Sequence, residues 1–123
     1  SVAVPLKQYD FSGSDEFYEL LNGPISELPL PTGLFHLKAT LSSEHGLFDG
    51  QIILTSYNDE GETGTYDYIP LHWLHAKWNG HTLQLKRTYT FPETALTYKM
   101  YFYNVNRQHI SVKIESFSIQ SPK

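Results

Sequence analysis

Aromatic rings and planar polar groups are the chemistry this chain offers, and they concentrate in one stretch. From Leu96 to Tyr103, the residues Leu96, Tyr98, Met100 and Phe102 alternate with Thr97, Lys99, Tyr101 and Tyr103. The period is two, so in an extended strand the first set shares one face and the second set the other. Solvent-facing strand positions usually carry threonine and charge. Here they carry a lysine and two tyrosines, with Asn104, Asn106 and Arg107 just beyond. Such a set suits contact with a saccharide, because the axial C–H groups of a pyranose pack on a π face while amide, guanidinium and ammonium groups bond hydroxyls in fixed directions. Tyr57, Tyr66, Trp73 and Trp78 are further candidates. The competing reading is that these rings fill a second layer or lie beneath loops, since both faces of a central, covered strand can be apolar.

Other constellations point to less. His72 and His75 are three apart, with His81 nearby; on a strand that spacing sends the two rings to opposite faces, so a zinc site is not expected. The run Asn58-Asp59-Glu60-Gly61-Glu62 gathers hard oxygens but lacks the length and alternation of a dedicated calcium loop, and reads as a solvated turn. Asp15, Glu16 and Glu115 are the candidate calcium ligands, on condition that the first and last strands pair. No nucleophile elbow surrounds any serine, and the carboxylates cluster in turns rather than in positions that would face each other across a cleft. The chain is therefore expected to be non-catalytic, with no cofactor beyond that structural calcium.

Composition narrows the partners. A net charge of -4 argues against a general affinity for nucleic acid, which needs a basic face to displace counterions, and equally against anionic membrane surfaces. No apolar run is long enough to span a membrane as a helix. With no cysteine there is no disulfide framework, thiolate metal site or cysteine nucleophile. At 123 residues the chain makes one domain, and its start at Ser1 and polar end at Ser121-Pro122-Lys123 read as a piece cut from a longer protein.

The elements that must position the aromatic face are strands. Val2 to Phe11 reads as an initial strand kept at an edge by Pro5, and Phe17 to Leu21 as a short strand after the turn-rich Ser12-Gly13-Ser14-Asp15-Glu16. Pro24, Pro29 and Pro31 exclude a helix interior between Gly23 and Thr32. Phe35 to Leu41, Gln51 to Tyr57, Thr65 to Ile69 and Thr82 to Phe91 follow as strands, and Asn79-Gly80 is the strongest hairpin signal. In the last strand Ile110, Val112 and Ile114 share one parity and Phe117 and Ile119 the other, which predicts a β-bulge at Glu115-Ser116. With turn signals about every ten residues and no stripe of period 3.6, the fold class is an all-β sandwich of two antiparallel sheets, one domain over residues 1–123.

Three pieces taken in order resemble one family. Thr32-Gly33-Leu34-Phe35-His36-Leu37-Lys38-Ala39, then Phe48 to Gly61, then Arg87-Thr88-Tyr89-Thr90-Phe91-Pro92 together with Ile110 to Ile119, look like the glycine-then-strand entry, the strand ending in a polar hairpin, and the closing strands of jelly-roll carbohydrate-binding modules appended to glycan-degrading enzymes. The resemblance covers about Thr32 to Ile119. It implies a jelly-roll sandwich that binds a poly- or oligosaccharide without cleaving it, as an accessory domain of a secreted or cell-envelope protein. Two departures stand against it: the stretch before Thr32 is short, and Glu115 stands where the family often has a calcium-binding aspartate. The rival expectation is a structural or protein-interaction sandwich of a surface appendage or virion, with the same aromatics forming a flat protein interface.

Overall fold

The computed structural model describes residues 3–5, 9–28, 34–44, 50–71 and 78–120. Among the described residues ten strands form: β1 (Ala3–Pro5), β2 (Tyr9–Gly13), β3 (Phe17–Pro24), β4 (Leu34–Ser43), β5 (Gly50–Tyr57), β6 (Thr63–Pro70), β7 (Trp78–Asn79), β8 (Thr82–Thr90), β9 (Thr97–Asn104) and β10 (Ile110–Gln120). A 3₁₀ turn, Ile25–Glu27, follows directly after Pro24. The all-β expectation holds because period-2 alternation runs through nearly every segment, leaving no stripe for a helix to bury.

The pairing is nested. β5 pairs β6 around the hairpin at Asn58–Glu62, β4 pairs β8, β3 pairs β9, and β2 pairs β10, all antiparallel. The chain is thus one long antiparallel ribbon folded at that hairpin and then wound up. Two further contacts, β10 with β4 and β5 with β9, join the windings into sheets ordered β1-β10-β4-β8-β7, with β2 also on β10, and β3-β9-β5-β6. This winding is the jelly roll.

Between the sheets lies a core built from alternate residues of each strand. Leu37 and Leu41 of β4, Leu83 of β8 and Ile114 of β10 meet Ile52 and Leu54 of β5, Ile69 of β6, and Met100 and Phe102 of β9, all fully or almost fully buried. Phe11 extends the cluster, with its ring centroid 4.9 Å from Tyr18 and 5.7 Å from Phe102. At the open side of the sandwich Asp67 of edge strand β6 meets Arg87 of β8, with Nη2 3.3 Å from Oδ1. Both share the inward parity of their strands yet sit at its lip, where a charge discourages pairing with another chain's edge.

Local signals fare unevenly. The bulge predicted at Glu115 is present: β10 shifts register against β4 between Ile114 and Ser116, which brings Phe117 opposite Ala39. The Asn79-Gly80 hairpin forms, with Asn79 opposite Thr82 and the positive φ at Gly80. The single initial strand expected from Val2 to Phe11 is instead two, β1 and β2, each pairing a different stretch of β10. The break in phase between Leu6 and Tyr9 is where they separate. β3 runs past the expected Leu21 to Pro24 through a bulge between Glu19 and Leu21.

Two outcomes check this core. Leu54→Ala removes a fully buried side chain between the sheets and lowers unfolding free energy by about 3 kcal/mol in urea titration. Burial, reinforced by the nearby Asp67, pushes the Tyr89 phenol well above its ordinary pKa. The unfolded chain therefore ionises first, and stability falls as pH rises past about 10. Tyr89→Phe removes that term, so its stability declines less steeply between about pH 10 and 12 than that of the parent, as read by circular dichroism.

Candidate functional site

The outward face of the β3-β9-β5-β6 sheet is where the side chains singled out from the sequence meet. Along β9, Tyr98, Met100 and Phe102 are buried, whereas Lys99 is exposed and Tyr101 and Tyr103 are half-buried. Alternation has done what the sequence required, and nothing among the described residues covers the rings.

Registers with the neighbouring strands widen the face. Phe17 lies opposite Tyr103, and Glu19 opposite Tyr101, on β3. On the other side Tyr101 faces Ile53 and Lys99 faces Thr55 on β5, which in turn face Tyr68 and Tyr66 on β6. The result is a band of rings crossing all four strands, about 14 Å at the usual interstrand spacing. Ile53 and Thr55 form its floor and are buried although their parity is outward, because the larger rings on either side overhang them. Phe17 is 54 % exposed; its ring stacks on Tyr103 at 5.0 Å and meets Tyr101 edge-on at 5.6 Å. Tyr66, 59 % exposed, lies 6.4 Å from Tyr68.

Within the band Phe17, Glu19, Tyr57, Lys99 and Tyr101 line an open depression of about 370 Å³. Thr55 Oγ1 donates to the Tyr57 hydroxyl at 3.0 Å, which holds that ring at the rim. The Lys99 ammonium stands 5.9 Å from the centre of the Tyr101 ring. The Tyr101 phenol titrates above its ordinary range, through partial burial and then through the neighbouring Tyr66 and Tyr57 hydroxyls, with a hydrogen bond to Tyr66. At neutral pH it is a neutral hydrogen-bonding group attached to an accessible ring. Such a surface can stack on an apolar face and bond hydroxyls.

Of the sequence-predicted site residues, the structure therefore brings together Tyr57, Lys99, Tyr101 and Tyr103. Asn104 requires a correction: it is fully buried, and its Nδ2 donates to the carbonyls of Gln108 at 2.7 Å and Asp15 at 3.1 Å. It ties two loops together rather than facing a ligand. Asn104 continues the strand by one residue beyond Tyr103 and so takes the inward parity. Arg107 is exposed in the connection to β10, with φ 51° and its N–H on the Asn104 carbonyl. Trp73, like His72 and His75, lies outside the described residues, as does the Trp78 side chain.

Of the calcium candidates, the Glu115 side chain lies outside the described residues; along the backbone, Asp15 and Glu16 follow Gly13, whose partner is Ile110, five positions before Glu115 on β10. Among the described residues no group of three acidic or histidine side chains is placed to hold a metal. At Asn58–Glu62 the Asn58 Oδ1 accepts from the N–H groups of Glu60 and Glu62, both at 2.9 Å, and Gly61 supplies the positive φ. That loop is a hydrogen-bonded turn. His81 Nδ1 lies 2.9 Å from the Ser43 carbonyl, which can only accept, so the proton sits on Nδ1.

Phe17, Glu19 and Tyr68 belong to the face but do not stand out in the sequence. Tyr68 was findable, since it shares the parity of Tyr66. Phe17 and Glu19 were hidden by the bulge that follows them.

No family model matches the chain, and no curated protein matches it. Solved structures do. The glycosylation-associated protein (Gap123) complex of Streptococcus agalactiae matches over 98% of this chain and 39% of the other at 12% identity, TM-score 0.59. The VP2 subviral particle of infectious bursal disease virus matches over 98% of this chain and 32% of the other at 8% identity, TM-score 0.59. A xylan-binding domain, CBM22-1 of Paenibacillus barcinonensis Xyn10C, matches over 80% and 62% at 11% identity, TM-score 0.48. The chain thus spans 39% and 32% of the length of the first two neighbours. At these identities the likeness to the first two bears on the sandwich fold alone.

The corrected role of Asn104 has a measurable consequence. Asn104→Ala strands two loop carbonyls and lowers stability by about 2 kcal/mol in chemical denaturation, whereas Arg107→Ala, at an exposed turn, changes it by less than about 0.5 kcal/mol.

Proposed function

We propose that the chain is a non-catalytic glycan-binding module whose site is the aromatic face of the β3-β9-β5-β6 sheet, centred on the depression between Phe17 and Tyr57. The observation that carries this reading is the outward position of Tyr101 and Tyr103, flanked by Phe17, Tyr66 and Tyr68, on a sheet face left open to solvent. Rings standing on a floor of buried Ile53 and Thr55 are held in place before a ligand arrives, so little conformational entropy is lost on stacking. Glu19, Lys99 and the Tyr57 and Tyr101 hydroxyls supply acceptors and donors around them. The likeness to carbohydrate-binding modules read from the sequence agrees with this placement. A sugar chain laid across the strands would touch rings on β3, β9 and β6 in succession. Secretion or display at the cell envelope, as an accessory part of a larger protein, belongs to the same proposal.

A second reading rests on a separate feature. Phe17, Tyr66, Tyr68 and Leu96 are all large and well exposed, and a flat aromatic surface of this kind also suits a protein partner in an assembly. The two readings differ in what hides the face.

A glycan array followed by calorimetry separates them. Binding to a defined oligosaccharide is expected, with Tyr101→Ala and Phe17→Ala each weakening it by about 1 kcal/mol, roughly fivefold, while the thermal midpoint stays near that of the parent. An array without any hit, together with a stable oligomer in sedimentation velocity that Phe17→Ala dissolves, would give the face to protein assembly instead.

A further inference from the structure

The depression contains two opposite charges that do not meet. Glu19 projects from β3 opposite Tyr101, and Lys99 from β9 two residues before it. Neighbours so placed commonly pair. Yet among the described residues the ion pair is Asp67 with Arg87, and Glu19 and Lys99 form none within 4 Å. The lysine instead leans over the Tyr101 ring, with its ammonium 5.9 Å from the centroid. Among the described residues no cation pairs with the carboxylate, which shares the lining of the depression with the exposed Phe17 ring.

Each half of this arrangement has its own preference. A carboxylate beside accessible aromatic faces attracts an alkylammonium group, because the ring quadrupole and the charge act in the same direction. An ammonium free of any carboxylate attracts an oxyanion. A plain anion would be repelled by Glu19 and a plain cation by Lys99, so either charge alone gains at one end and loses at the other. A ligand carrying both, in the order set by the two side chains, gains at both. Nor does an obstacle fill the space: the depression is open and its volume, about 370 Å³, exceeds that of a small zwitterion, which leaves room for the sugar that bears it.

We propose that the depression recognises a zwitterionic substituent of the phosphoryl-alkylammonium class carried on a glycan, with the alkylammonium group between Glu19 and the ring of Phe17 and the phosphate on Lys99. This rests on the reading of the same face as a glycan site and adds the chemical class of the group it selects. It also accounts for Lys99 resting over Tyr101: the ring holds the lysine away from Glu19, so that binding does not first have to break an ion pair.

The test titrates the whole chain, followed by NMR chemical shifts, with phosphocholine, choline, inorganic phosphate and a neutral oligosaccharide taken from the array. Phosphocholine is expected to shift the resonances of Glu19, Tyr57, Lys99 and Tyr101 and to bind about tenfold more tightly than choline or phosphate alone. Glu19→Gln and Lys99→Met, both at exposed positions, should each weaken phosphocholine binding about fivefold, and by more than they weaken binding of the neutral oligosaccharide, while leaving the thermal midpoint near the parent value. Phosphocholine binding no better than its two halves, or unaffected by both substitutions, overturns the inference even where neutral oligosaccharides bind and the glycan reading stands. Phosphocholine binding with no response to any oligosaccharide supports the zwitterion site and removes the glycan reading instead. Co-sedimentation with phosphatidylcholine vesicles, abolished by the same two substitutions, would make the source a lipid headgroup and overturn the assignment to a glycan.

Discussion

Everything in this fold depends on strict alternation in strands that are each asked to serve two faces. In β9, Met100 and Phe102 are fully buried between the sheets while Lys99, Tyr101 and Tyr103 stand on the far side of the same backbone. A one-residue slip would exchange the sets, placing a lysine in the core and a methionine and a phenylalanine in water, so the core fixes the register that presents the outer rings. The outer face is therefore a consequence of core packing and not an independent construction. Its precision is borrowed from Ile52, Leu54 and Phe102 beneath it.

Winding the ribbon adds a second consequence. Because β3 pairs β9 in the nested scheme while β5 pairs β9 laterally, Tyr101 acquires neighbours from sequence positions as far apart as Glu19 and Ile53. The aromatic band is assembled from four strands, none of which carries more than a few of its rings. Bulges refine the result. The one in β3 between Glu19 and Leu21 lets Leu21 as well as Leu20 meet the core, while Phe17 and Glu19 keep to the outer face. At β10 the shift between Ile114 and Ser116 carries the pairing with β4 on to Ala39 and Leu37.

Much of this was legible in the residues. Period-2 patterning identified most of the strands, the phase slip after Ile114 located the bulge, and Asn79-Gly80 marked the hairpin. These signals are local, and local backbone preference decides them. The inward and outward sets of β9 were legible too, since parity needs no tertiary information. Asn104 was misread because the strand runs one residue further than the pattern of apolar residues suggested; an amide at a strand end reads as a ligand contact until parity turns it inward. Glu19 and Phe17 were missed for the converse reason, as their phase relative to Leu20 and Leu21 is meaningful only once the bulge is known. Nesting itself could not be read from any segment, since antiparallel pairing across tens of residues is settled by the sum of core contacts.

The same logic explains why the aromatic band lies on this sheet and not on its partner. The outward positions of β4, β8 and β10 carry Lys38, Ser42, Gln84, Lys86, Ser111 and Lys113, side chains that solvent satisfies without help. An exposed band of rings on the other sheet has a hydration cost that the fold does not recover from within, because its core is already complete without them. Apolar area of that kind is stabilised by whatever comes to cover it. The exposed rings mark where such a partner would lie, and the separated Glu19 and Lys99 restrict its chemistry, since a purely apolar partner would leave both charges desolvated and unpaired. A ligand with polar groups at defined positions around an apolar face meets both conditions, which is the physical reason to prefer a substituted sugar over a flat hydrophobic protein patch.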